Sequence, residues 1–255
     1  MSGGVRLEVS DGVGLVTLDR PPVNALNREM RRDIVRTFDA ISERDDVRCV
    51  VLTAAGKVFC AGADLKDRPD PDIQGDFLEH NRITRETTNA IRECAKPVIA
   101  AVNGAALGAG LGLMAACDIL YASEEATFAM PEINVGLAGG AAMLKTLFGR
   151  STLRRMFFTG QRLTAQDLLR RNVVDDVLPP DQLLPFTMNL ARDIASKAPL
   201  AIQYAKRSAN MVDVMPQRDA YRFEQEFTVA LSRTEDAREA RMAFLEKRPP
   251  QFKGR

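Results

Sequence analysis

Two short apolar runs, VRCVVLTA at residues 47–54 and KPVIAAVNG at residues 96–104, each lead into a loop almost stripped of side chains. Both runs are β-branched, bounded by turn residues and too short for a helix, so they read as strands buried on both faces. The loops that follow are VFCAGAD at 58–64 and NGAALGAGLGLMAAC at 103–117. Glycine and alanine in that density let main chain approach other main chain, or a ligand, closely. The same loops offer no acid, base or nucleophile beyond Asp64 and the cysteines.

The elements around these runs argue for α/β layering. Val5 to Val9 and Gly14 to Leu18 flank Asp11-Gly12, a hairpin signal. Met30, Ile34, Phe38 and Ile41 recur at helical spacing in REMRRDIVRTFDAISERDD, and a second helix is expected over residues 76–95. A short helix and a strand near Asp118 to Ala122 follow the glycine run. From Asp181 onward DQLLPFTMNLARDIASK, PLAIQYAKRSANMV and QRDAYRFEQEFTVALSR all read as helices. The expected division is an α/β core over residues 1–195 and a helical region over 196–255, whose apolar faces suit packing on a neighbouring subunit.

Composition removes several classes of function. Lys plus Arg number 35 against 34 Asp plus Glu, so no global field favours nucleic acid or an anionic membrane. No run approaches the roughly 18 apolar residues of a membrane span, and the N-terminus has no secretory pattern. Cys49, Cys60, Cys94 and Cys117 form no CxxC pair and sit among apolar neighbours, as buried free thiols in a reducing cytoplasm would. His80 is the single histidine, which excludes a clustered-histidine metal site; a solvated or capping role is expected for it, with an active-site role as the alternative.

The glycine run fits dinucleotide binding poorly, because Leu113 stands where the third glycine of GxGxxG belongs, and no GK[ST] follows for a P-loop. Close packing alone does not explain why a second loop shows the same bareness. Two loops that each expose peptide N–H groups at a helix start can converge on one oxygen, forming an oxyanion hole. A helix beginning near Ala109 adds positive potential there.

At this point the chain resembles the enoyl-CoA hydratase/isomerase (crotonase) superfamily. The resemblance rests on PPVNALNREM, VVLTAAGKVFCAGADLK, KPVIAAVNGAALGAGLGLMAACDILYAS, ATFAMPEINVGL, FTGQRLTAQDLL and PPQFKGR. It implies a spiral of ββα turns with a C-terminal helical trimerisation region, as a homotrimer or a dimer of trimers. It also implies an acyl-CoA thioester substrate, with no cofactor apart from the coenzyme A that the substrate carries. By position it assigns the oxyanion donors to the amides of Ala63 and Ala109. It assigns a coenzyme A contact to Ala63, Asp64, Leu65 and Lys66, and a further one to Lys253 in the tail. β-Oxidation is the family's commonest setting.

One departure bears on the chemistry. Relatives with two catalytic glutamates carry the first where this chain has Gly112, and the second at Glu132. A dehalogenase-type aspartate would fall at Gly140 and is absent. Glu132 is therefore the expected single proton carrier, its pKa raised by burial among Phe128, Met130, Ile133 and Val135. A second polar group is sought in the Asp-rich loop from Asp67 to Asp76. One carboxylate suffices to shift a double bond, whereas hydration asks for a second group to hold water. The alternative is a non-catalytic acyl-CoA-binding protein on the same scaffold.

Overall fold

The computed structural model describes residues 4–255. Strands β1 (Val5–Ser10) and β2 (Val13–Leu18) pair antiparallel through a turn in which Asp11 and Gly12 both take positive φ, 52° and 77°. That pair of left-handed residues is what a tight, correctly twisted hairpin requires. Helix α1 (Arg28–Glu43) starts where the Asn27 side chain accepts from the Met30 amide at 2.9 Å. Its predicted stripe of Met30, Ile34, Phe38 and Ile41 is fully enclosed, each side chain stabilising by about 2 kcal/mol.

The chain continues through β3 (Cys49–Ala54), α2 (Asp76–Glu93) and β4 (Val98–Val102). Then come β5 (Ala106–Leu107), α3 (Ala109–Ala115), β6 (Ile119–Ser123) and β7 (Thr127–Ala129). A 3-10 turn at Pro131–Val135 leads to α4 (Ala141–Leu144) and α5 (Arg150–Thr159). Strand β8 (Leu163–Thr164), helix α6 (Ala165–Leu169) and strand β9 (Asp176–Leu178) close the α/β part. The remaining helices are α7 (Pro180–Ala195), α8 (Pro199–Val212), α9 (Gln217–Leu231) and α10 (Glu235–Glu246).

Six strands form one sheet in the order β1-β2-β3-β4-β6-β9, parallel except for the hairpin, and β5-β7-β8 form a smaller second sheet. The period-two pleat sorts the large sheet's side chains. Val50 and Leu52 of β3 join α1 and α3 in the main core, while Cys49 and Val51 face Leu183, Ala191 and Ala195 of α7. Both faces are covered, which is why VRCVVLTA and KPVIAAVNG are continuously apolar.

Helix α8 is fastened to this body by one buried group. Lys206 Nζ lies 2.9 Å from Asp118 Oδ2 and donates to the carbonyls of Lys96 and Ile91 at 3.0 and 3.4 Å. Beyond it, α9 and α10 leave Tyr221, Val229, Phe244 and Leu245 more than half exposed. Among the described residues, no helix is long and apolar enough to cross a membrane.

Candidate active site

The two bare loops lie side by side. The Leu107 amide donates to the Cys60 carbonyl at 2.9 Å, and the Cys60 amide to the Ala105 carbonyl at 3.0 Å. Gly62, at φ 98°, packs so tightly that a β-carbon there would come within 2.9 Å of the Leu107 oxygen and 3.6 Å of the Ala109 nitrogen.

The directions of the two amides follow from their own peptide planes. The Gly62 carbonyl accepts from Leu26 at 2.8 Å, and the Asp64 amide donates to the Leu26 carbonyl at 3.0 Å. Because N–H and C=O of one trans peptide point opposite ways, the Ala63 N–H points away from Leu26. The Gly108 carbonyl accepts from the Gly112 amide inside α3 at 3.1 Å, so the Ala109 N–H projects back out of the helix start. Neither amide donates to a backbone carbonyl among the described residues. Ala109 takes no positive φ, so its methyl is tolerated where glycine is not required.

Glu132 closes the third side. Strand β7 pairs with β5 in register Leu107↔Ala129, and the Gly108 amide donates to the Ala129 carbonyl at 2.9 Å. The 3-10 turn that follows swings the Glu132 carboxyl over Gly108, where a β-carbon would lie 2.2 Å from Oε1. Burial raises the Glu132 pKa, against a smaller lowering by its own backbone amide, and Oε2 is enclosed with no hydrogen-bond partner. Phe128 and Met130 are buried as expected, but Ile133 and Val135 are 44% and 52% exposed. The enclosure comes from the glycine loop and β7 instead, because the 3-10 turn points its apolar residues outward.

Where relatives place their other glutamate, Gly112 faces Met143. A β-carbon at Gly112 would sit 2.6 Å from the Met143 methyl and 3.9 Å from Thr88 Cγ2 on α2. Asp67 and Asp76, at the two ends of the Asp-rich loop, do not replace the missing carboxylate. Asp67 accepts from the Arg28 amide and Asp76 pairs with the Arg28 guanidinium, which holds Asp76 down at about 2. Both acids are spent on α1.

The remaining expected residues are divided. Asp64 accepts from the Lys66 amide at 3.0 Å and pairs with Arg20 at 2.8 Å, which lowers its pKa and fixes the loop that ends in Ala63. Leu65 and Lys66 are exposed next to it. Lys253 is elsewhere: its amide donates to Asp236, and the neighbouring Phe252 carbonyl accepts from Arg48 at 3.4 Å. Arg48 precedes β3 whereas the Ala63 loop follows it, so about 20 Å of strand separates them. Within one chain the structure does not bring Lys253 to Lys66.

Three groups were not read from the sequence as site residues. Met143 gives no signal, since its role depends on Gly112. Arg31 interrupts the apolar side of α1 next to Met30, and it is 2% exposed. His80 is neither a cap nor fully solvated: its Nδ1 is enclosed without a partner, and burial lowers its pKa. Burial pushes the Cys60 thiol up to about 11 and the Cys49 thiol up to about 12, which disfavours the thiolate at both.

Comparison with known proteins identifies the family. The family model described as Enoyl-CoA hydratase/isomerase matches residues 8–255. A Mycobacterium tuberculosis (7aS)-7a-methyl-1,5-dioxo-2,3,5,6,7,7a-hexahydro-1H-indene-carboxyl-CoA hydrolase is 39% identical, covering 92% of this chain and 96% of its own. The 2,3-dehydroadipyl-CoA hydratase of Escherichia coli is 36% identical over 94% of this chain and 95% of its own. The crystal structure of enoyl-CoA hydratase from Bacillus anthracis superimposes with a TM-score of 0.92 at 30% identity, covering 99% of this chain and 100% of that one. The chain belongs to the enoyl-CoA hydratase/isomerase family.

Proposed function

We propose that the protein is an acyl-CoA enzyme that forms a thioester enolate and moves one proton with Glu132. The observation behind this is a single juxtaposition: the Glu132 carboxyl lies against Gly108, the residue whose peptide supplies the Ala109 amide. Glu132 removes a proton from Cα of a β,γ-enoyl thioester, and the electron pair moves into the carbonyl. The amides of Ala63 and Ala109 hold the resulting oxyanion, each contributing roughly 3 kcal/mol. The protonated Glu132 then returns its proton to Cγ, leaving the α,β-enoyl thioester with all atoms conserved. Its raised pKa suits a group that must both accept and donate.

Isomerisation fits better than hydration. The position of the second family glutamate is Gly112, and the Met143 methyl fills the space in front of it. The relatives named as a hydratase and as a hydrolase are both named for CoA-linked substrates, as an acyl-CoA reading requires. Ala63, Asp64, Leu65 and Lys66 are proposed to line the coenzyme A entrance, and Lys253 to serve a neighbouring subunit's site. The exposed faces of α9 and α10 are proposed as subunit contacts of a homotrimer or a dimer of trimers in the cytoplasm. The test of function is incubation with hexenoyl-CoA in deuterated water. Deuterium at Cα or Cγ supports enolisation, and tight binding without exchange supports the non-catalytic binder that the loss of one glutamate favours.

A further inference from the structure

Six buried side-chain polar atoms lack a hydrogen-bond partner among the described residues, and four of them gather between α1 and α2. They are Arg28 Nε and Arg31 Nε on α1, and His80 Nδ1 and Thr84 Oγ1 on α2. Arg28 is otherwise well engaged by Asp76 and Asp67. Arg32 pairs with Glu79. Of the three arginines here, that leaves Arg31 with no side-chain hydrogen bond and no ion pair to any described residue, although it is only 2% exposed.

A buried guanidinium nitrogen without an acceptor is unfavourable, and Arg31 Nε is one. Replacing Arg31 by leucine would complete the apolar face formed by Met30 and Ile34. What the group offers is a planar fork of N–H donors matched to a carboxylate. His80 and Thr84, one helical turn apart on α2, add a ring nitrogen and a hydroxyl to the same enclosure.

The cluster also adjoins the thioester site. The Arg31 charge acts on both Cys60 and His80. Cys60 packs against Gly110 of α3, where a β-carbon would meet the Cys60 oxygen at 2.3 Å. Ala63 is three residues further along, at most about 11 Å away. The α2 face that meets Gly112 through Thr88 continues back to Thr84 and His80 in steps of about 6 Å. An acyl chain held at Ala63 and Ala109 therefore has a polar, cationic cluster within reach of its distal end.

We infer that Arg31, with His80 and Thr84, forms a subsite for a carboxylate at the far end of the acyl chain, making ω-carboxyacyl-CoA thioesters the preferred substrate class. This rests on the acyl-CoA assignment of the site. The Asp67 charge reaches Arg31, but Asp67 and Asp76 are both already paired with Arg28.

Calorimetric titration tests the assignment without relying on turnover. Succinyl-, glutaryl-, adipyl- and pimelyl-CoA are compared with the methyl-terminated esters of equal length. At one chain length at least, the carboxylate ester is expected to bind the wild type roughly 100-fold more tightly, the range found for buried charge-paired contacts. In Arg31→Leu that preference disappears while the methyl-terminated ester binds as before, and Tm rises because an unpaired buried charge has been removed. A flat wild-type series at every length overturns the subsite. So does an equal loss on both ester types, which would assign Arg31 to the coenzyme A moiety. A lower Tm with preference retained would make Arg31 structural and overturn it as well. Preference without any deuterium exchange supports the subsite and removes the catalytic assignment instead.

Discussion

Gly108 and Glu132 occupy space that admits no side chain between them: a β-carbon at Gly108 would stand 2.2 Å from Glu132 Oε1. Gly108 also holds φ 52° with ψ −118°, a conformation that L-residues rarely adopt. Gly108→Ala is therefore expected to displace the carboxylate and tilt the Ala109 amide together. Turnover should fall by at least about 100-fold, the effect of losing one oxyanion donor, and stability by roughly 2 kcal/mol of backbone strain. Steady-state kinetics beside urea unfolding reads both. Near wild-type turnover would separate Glu132 from the oxyanion loop.

The raised pKa of Glu132 makes a prediction about stability with a definite sign. A carboxyl whose folded pKa lies above its unfolded value favours folding when protonated. That contribution is fully present below the ordinary carboxylate range and is lost as pH rises through the folded pKa. At neutral pH the ionised group is a burden, so Glu132→Gln should melt higher than wild type at pH 7 and no higher at pH 3.5. Its turnover should be abolished while acyl-CoA binding persists. Calorimetric melts across that range check the sign, and equal Tm differences at both pH values would contradict burial of the charge.

Met143 decides whether a second carboxylate can be restored. With its methyl 2.6 Å from the place of a Gly112 β-carbon, Gly112→Glu alone has to push Met143 aside. Overpacking of this kind costs about 1–3 kcal/mol. Combining Gly112→Glu with Met143→Ala opens the space, so the double variant should recover stability and gain hydration of crotonyl-CoA over wild type by about tenfold or more, consistent with general acid–base assistance. Hydration assays on the single and double variants discriminate. Equal hydration by wild type and the double variant would place the limit elsewhere than the missing acid.

How much of this was legible beforehand depended on whether neighbours in sequence or neighbours in space set each feature. The hairpin at Asp11-Gly12 and the Met30–Ile41 stripe are written in local chemistry, and both were read correctly. Helix α2 ends at Glu93, two residues before the expected position, since Cys94 already takes an extended ψ of 129°. Ala63, Ala109 and Glu132 were assigned by resemblance to a family, because no spacing links residues so far apart in the chain. The short strands β5, β7, β8 and β9 and helices α4, α5, α6 and α10 escaped, the strands because two or three residues carry no periodicity. Ile133 and Val135 were misjudged because a 3-10 turn has a different period from a helix or strand. Arg31 was visible as a charge on an apolar stripe, but its lack of a partner is a property of the folded interface alone.

Lys206 offers a test of how the C-terminal helices are held. Its ammonium reaches Asp118 at 2.9 Å and two carbonyls at the end of α2 and beyond, while its side chain is 5% exposed. Asp118 Oδ2 also accepts from the Val98 amide at 2.6 Å, so the acid is anchored to the start of β4 whether or not the lysine is present. Lys206→Met leaves that carboxylate without its counter-charge and two carbonyls without a donor, a loss of about 3 kcal/mol for breaking a buried pair. Adding Asp118→Asn removes the uncompensated charge while an amide oxygen still accepts from Val98. The double variant should therefore be more stable than Lys206→Met, by about 1 kcal/mol or more of coupling. Urea unfolding of the four-member cycle measures this, and limited proteolysis should cut Lys206→Met first in the segment joining α7 to α8. Additive losses would mean that the lysine is held by the carbonyls and packing alone, with no energetic link to Asp118.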